Sequence, residues 1–185
     1  MILFKFMAWF SQLNSTNYFL MKKILLFLSL LVVVQISFAQ EKTDYTKKGA
    51  PMPNFYVNRT DGGYVIPSLL KKGAPVLIMI FSPECEHCAH TIDSLKSIRS
   101  LFKTTQILLV AEERHKDLMQ GFIEHENLKD DPLFKYIGTN KGELIAAIYT
   151  NKILPQLNFY DANHKLVKIL DGNEYHLEDV KKYAK

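Results

Sequence analysis

No acidic residue stands among residues 1 to 39, which carry Lys5, Lys22 and Lys23, so the chain's excess of positive charge is concentrated there. Without that stretch the balance falls from 23 basic against 19 acidic residues to 20 against 19. A nearly neutral remainder leaves no electrostatic footprint for nucleic acid, and none is expected as a partner. No cysteine closely follows the apolar run that begins at Ile24, which argues against a bacterial lipid anchor on a mature N-terminal cysteine. Internal repeats and low-complexity tracts are absent, and 185 residues leave no room for a second large domain. Cysteine is the scarcest informative residue: only Cys85 and Cys88 occur, so their spacing decides what they are for.

What is present at the N-terminus reads as an export signal. Met21, Lys22 and Lys23 form a basic start, Ile24 to Val34 an apolar core, and Ser37-Phe38-Ala39 a small-x-small cleavage site. Residues 1–20 are then an upstream extension before the true start at Met21, residues 21–39 a signal peptide, and Gln40 the first mature residue. The apolar core is shorter than the roughly 20 residues of a membrane span, which favours cleavage and a soluble exported product over a retained anchor. Beyond the membrane, thiols are normally paired or held for redox work.

Residues 40–50 are polar and lysine-rich and read as a flexible lead-in, with the folded domain over 51–185. Asn54 to Val57 and Tyr64 to Ile66 predict a hairpin around Asp61-Gly62-Gly63, and Ser68 a cap for a short turn to Lys72. Pro75 to Phe81 is a continuous apolar run, expected of a strand buried on both faces. Cys85 to Phe102 has the apolar spacing of an amphipathic helix, Gln106 to Ala111 is a second buried strand, and Lys116 to His125 a second helix. A helical crossover makes the two strands parallel. Phe134 to Ile137 predicts a short strand and Gly142 to Tyr149 a short helix. Leu157 to Tyr160 with Leu166 to Leu170 predicts a hairpin, and Leu177 to Tyr183 a closing helix. The fold class is α/β, a central mixed sheet with helices on both faces.

The chemistry lies in Cys85-Glu86-His87-Cys88. A thiol at a helix N-terminus meets unpaired backbone N–H groups and the positive end of the helix dipole, both of which favour a thiolate. Cys85 is the expected nucleophile and Cys88, one turn further in, the resolving thiol that releases a mixed disulfide. As a staple the pair is weak, because closing so short a loop restricts the unfolded chain by only about 2 kcal/mol. Glu86 and His87 are expected to tune the pair in opposite senses: an imidazolium stabilises the thiolate, a carboxylate repels it.

Phe81-Ser82-Pro83-Glu84-Cys85-Glu86-His87-Cys88 resembles the active-site segment of thioredoxin-like proteins, nearest to secreted redoxins of the TlpA/ResA type. Pro51-Met52-Pro53-Asn54-Phe55 resembles their first strand, and Ile153-Leu154-Pro155-Gln156-Leu157-Asn158-Phe159-Tyr160-Asp161 the segment carrying that fold's cis-proline. The resemblance covers roughly residues 51 to 183, with the three segments in the family's order. It implies a cis Pro155 packed against the disulfide with Leu154 before it, exported proteins bearing disulfides or dithiols as partners, a membrane-embedded electron-transfer partner, a monomer and no cofactor. Glu84 departs from the family's usual Trp, Leu154 from its Thr or Val, Met79 from thioredoxin's buried Asp and Thr91 from the ResA-type glutamate. The proton acceptor for Cys88 therefore stays open among Glu86, His87, His90 and water.

Three rival readings are weaker. Cys85, His87, Cys88 and His90 diverge around a helix and do not converge on zinc, although the two thiols alone suit Cu(I), so no metal is expected. A c-type haem needs His directly after the second cysteine, where Ala89 stands. The Pro and Thr that precede a peroxidatic cysteine are Ile78 and Ser82 here. A thiol oxidase or isomerase, or a copper-binding chaperone of the same fold, remains the alternative. His115, His125, His164 and His176 are scattered among polar neighbours, and no role is expected of them.

Overall fold

The computed structural model describes residues 19–20, 22–28, 43–150, 152–172 and 176–184. Two compact units divide the chain, Met1–Thr43 and Asp44–Lys185. In the first, residues 19–20 and 22–28 are helical. The rest of the expected apolar core, the Ser37-Phe38-Ala39 cleavage site and Gln40 lie outside the described residues, as do Met21 and residues 1–18. Among the described residues no helix is long and apolar enough to cross a membrane.

The second unit carries β1 (Val57–Arg59), β2 (Tyr64–Val65), β3 (Val76–Ile80), β4 (Gln106–Glu112), β5 (Tyr136–Asn140), β6 (Gln156–Tyr160) and β7 (Leu166–Asp171). They form one sheet in the order β2-β1-β5-β4-β3-β6-β7. All five residues of β3 are buried, because a strand flanked by two others and covered on both faces has no side left for water. β3 and β4 are parallel, joined by the crossover helix α1 (Glu86–Ser97), and β6 runs antiparallel to β3. The mixed sheet expected from the alternation of strands and helices is present.

Side-chain alternation sends Leu77, Met79 and Leu109 to one face, where they meet Ile92 and Leu95 of α1, Phe122 of α2 (Met119–His125) and Val180 of α4 (Leu177–Tyr183). Val76, Ile78 and Val110 point to the other face, against Leu144 and Ile148 of α3 (Glu143–Ile148) and Phe55.

Several expected boundaries shift. The predicted Cys85–Phe102 helix is α1 to Ser97 followed by a 3₁₀ turn, Arg99–Phe102, because Ile98 leaves the helical region at φ −110°. The second helix starts as a 3₁₀ turn, Glu113–Leu118. Phe134 closes a 3₁₀ turn and the strand lies further on, at Tyr136–Asn140. Ser68 caps nothing: Ile66 is the N-cap, with Pro67 at the first position, where its missing N–H costs no bond. Pairing with β5 sets the first strand at Val57–Arg59 rather than Asn54–Val57. The described part of the lead-in is fastened to the fold, since Gly49 N–H donates to the Leu166 carbonyl (2.7 Å) and the Ala50 carbonyl accepts from Leu166 N–H (2.8 Å).

Candidate active site

The site lies where β3 runs out. Phe81 N–H donates to the Val110 carbonyl (3.1 Å), after which the chain turns: Cys85 N–H donates to the Ser82 carbonyl (3.1 Å) and Glu84 N–H to Ser82 Oγ (3.3 Å). This turn delivers Cys85 as the N-cap of α1, in an extended conformation. Its Sγ accepts from Cys88 N–H at 3.2 Å, so a sulfur takes the place that a Ser or Asp oxygen occupies at an ordinary helix start. The N–H groups of a helix's first turn have no carbonyl a turn earlier, and a thiolate placed among them is stabilised by them and by the dipole.

Cys85 and Cys88 are disulfide-bonded, with Cα atoms 5.2 Å apart. Their surroundings differ. Cys85 is half-buried at the rim, whereas Cys88 is fully buried in the apolar cluster of Ile92 and Leu95. Glu86 and His87 are exposed; the Glu86 carboxylate lies 3.6 Å from His90 Nε2, and the His87 carbonyl accepts from Thr91 Oγ1 (2.8 Å). Among the described residues no three His, Cys, Asp or Glu side chains converge as a metal site would require.

The Leu154–Pro155 peptide bond is cis, with Pro155 buried and Leu154 half-buried between the two core clusters. Because Ile80 pairs with Gln156, Pro155 comes level with Phe81, at the end of the sheet that also carries the cysteine turn. The neighbouring strand passes close by: a Cβ on Gly172 would collide with the Leu154 carbonyl, so only glycine fits there. Gln156 fastens the segment from the other side. Its amide donates to the Ile148 carbonyl (2.7 Å) and to Asn158 Oδ1 (2.8 Å), while its Oε1 accepts from Thr150 N–H (2.9 Å) and Thr150 Oγ1 (3.0 Å).

One residue at this end of the sheet escaped the sequence reading. His115 is not a surface histidine: it is 8% exposed, in the turn after β4, with its Nε2 3.7 Å from Glu84 Oε2. A usable signal was the parallel pairing of the two central strands, which brings the residues after β4 beside those after β3.

No protein-family model and no curated protein sequence matches the chain. Solved structures do. The chain is similar to a secreted Mycobacterium tuberculosis disulfide oxidoreductase homologous to Escherichia coli DsbE, with 17% identity, TM-score 0.56 and 70% of this chain covering 93% of that one. It is also similar to the thioredoxin domain of a thiol-disulfide oxidoreductase from Bacteroides vulgatus, with 17% identity, TM-score 0.58 and coverage of 75% and 99%. StoA from Bacillus subtilis matches at 16% identity and TM-score 0.55, with coverage of 72% and 98%. The fold is thioredoxin-like, and the mixed sheet, the Cys-x-x-Cys helix start and the cis-proline segment occupy one chain.

Proposed function

We propose that the chain is an exported thiol-disulfide oxidoreductase that reduces disulfides of other exported proteins through Cys85 and Cys88. The observation that carries this reading is the asymmetry of the pair: one sulfur at a helix N-cap within reach of a partner, the other sealed in the core one turn away.

In the reduced protein the Cys85 thiolate attacks a disulfide of the partner, forming a mixed disulfide and releasing one partner sulfur as thiolate. Cys88 gives its proton to a base and attacks Cys85 Sγ. That forms the Cys85–Cys88 bond and releases the second partner sulfur, so two electrons pass to the partner. An external dithiol must then restore the reduced state, and a membrane-embedded electron-transfer protein fits that need outside the cytoplasm. Export rests on the basic start, apolar core and cleavage site of residues 21–39, which leave a soluble mature chain from Gln40.

The cis-proline segment lies at the same end of the sheet as the cysteine turn, and the exposed Glu86 and His87 follow Cys85 as tuning residues. Equilibration of the purified protein with glutathione and with dithiothreitol, read as the fraction oxidised, tests the direction. A potential near about −270 mV supports a reductase, and one near about −120 mV overturns that direction in favour of a thiol oxidase.

A further inference from the structure

We propose that His115 is a positioning residue for the Cys85 thiol, acting through Glu84, the residue directly before the nucleophile. The imidazole sits in the turn Glu113–Leu118 with its side chain nine-tenths buried, and its Nε2 lies 3.7 Å from the Glu84 carboxylate, which is largely exposed. Its Nδ1 is buried without a hydrogen-bond partner among the described residues. Packing alone would favour an apolar side chain here, because a buried unpaired polar atom costs stability. The nitrogen that does meet a charged group meets the residue adjoining Cys85.

Most neighbouring charges are engaged elsewhere. On the same turn and the strand before it, Glu113 accepts from Thr139 Oγ1 (2.6 Å) and Arg114 pairs with Glu112 (2.7 Å). On α2, Glu124 accepts from Gln120 and His125 contacts Glu126; on α1, Glu86 faces His90. Lys116 and Asp117 on the turn are exposed. Among the described residues, Glu84–His115 is thus a polar side-chain contact that joins the turn after β4 to the cysteine turn.

A carboxylate next to Cys85 opposes formation of the thiolate, and one faced by the polar Nε2 of a buried imidazole opposes it less. His115 therefore stabilises the reduced protein by compensating Glu84, and the effect requires both side chains. The inference rests on the redox reading of Cys85 and Cys88.

The test is a double-mutant cycle of His115→Gln and Glu84→Gln on the full mature chain, read by the pH profile of Cys85 alkylation and by the equilibrium constant with glutathione. His115→Gln alone is expected to favour the oxidised form about threefold, about 14 mV, and to raise the Cys85 pKa by about half a unit. In the Glu84→Gln background the same substitution is expected to do neither. Equal shifts in both backgrounds, or none in either, overturn the proposal. Glu84→Gln, at an exposed position that does not threaten folding, must itself lower the Cys85 pKa; an unchanged profile overturns the proposal as well. These readouts concern the thiol pair alone. Failure to reduce protein disulfides would instead sink the proposed function while leaving the cycle readable.

Discussion

The two faces of the sheet are built from different materials. The face under α1, α2 and α4 is apolar where it matters: Cys88, Ile92, Leu95, Leu157 and Phe159 fill it, and the resolving sulfur is sealed in the same hydrocarbon that holds the helix down. The opposite face mixes aliphatic packing with buried amides. Asn140 donates to the Tyr56 carbonyl (2.9 Å) and accepts from Gly142 and Leu144 N–H, so it caps α3, while Gln156 ties the return after α3 to β6 and Asn158 donates to the Ile78 carbonyl of β3. Apolar packing is tolerant of exchange and insulates a sulfur. Amide networks are directional, and they fix an irregular segment, here Leu154–Pro155, in one place.

Gln156→Leu should break that contrast most severely. It strands the Ile148 carbonyl and Asn158 Oδ1 in a buried setting, and the expected loss is about 4 kcal/mol, read as a lowered urea midpoint. Because the Leu154–Pro155 segment loosens with it, disulfide reduction should fall as well. Leu95→Ala, on the apolar face, should cost about 3 kcal/mol through the cavity it leaves, while the Cys85 alkylation rate stays unchanged. If Leu95→Ala disturbed Cys85 as much as Gln156→Leu does, the division of labour between the faces would fail.

Much of this contrast was legible in the sequence, and unevenly so. The apolar run at β3, the amphipathic start of α1 and the hairpin of Leu157 to Tyr160 with Leu166 to Leu170 are local patterns, and they fell where expected. The break at Ile98 and the 3₁₀ turns were missed because one residue's dihedral decides them, and apolar spacing does not report it. The position of β1 was missed because its partner β5 lies some 80 residues away. His115 was misplaced for the same reason: it stands in the polar run Glu112 to Asp117, and only packing after β4 turns it inward. Of the candidate site, the cysteines and the cis-proline segment were readable, and the contact between Glu84 and His115 was not.

His87→Pro probes the rim of the apolar face, where the site meets water. The helix's first turn accepts proline, and the variant loses the imidazole beside Cys85, so the reduction potential should fall by about 30 mV, or 1.4 kcal/mol for two electrons. An unchanged potential would make His87 a solvated bystander.

Tyr160→Phe should have the smallest effect at neutral pH. Burial pushes this phenol well above its ordinary pKa, and its oxygen has no hydrogen-bond partner among the described residues. A raised folded-state pKa gives stability that is fully present below the unfolded value of about 10 and is lost as pH rises through the folded one. The variant should therefore match the parent near pH 7, within about 0.5 kcal/mol, and lose less stability above pH 10. Parallel urea midpoints for both proteins up to pH 11 would contradict this assignment.

The most direct test of the account is trapping. Reduced Cys88→Ser protein, mixed with a disulfide-bearing protein and resolved without reductant, should accumulate a mixed disulfide whose linkage mass spectrometry maps to Cys85, because the attacking thiol remains and the resolving one is gone. Reduced Cys85→Ser protein should trap little or nothing, its remaining thiol being sealed beneath α1. Equal trapping through Cys88 in the Cys85→Ser variant, or no trap in either, would contradict the assignment of Cys85 as nucleophile and Cys88 as resolving thiol.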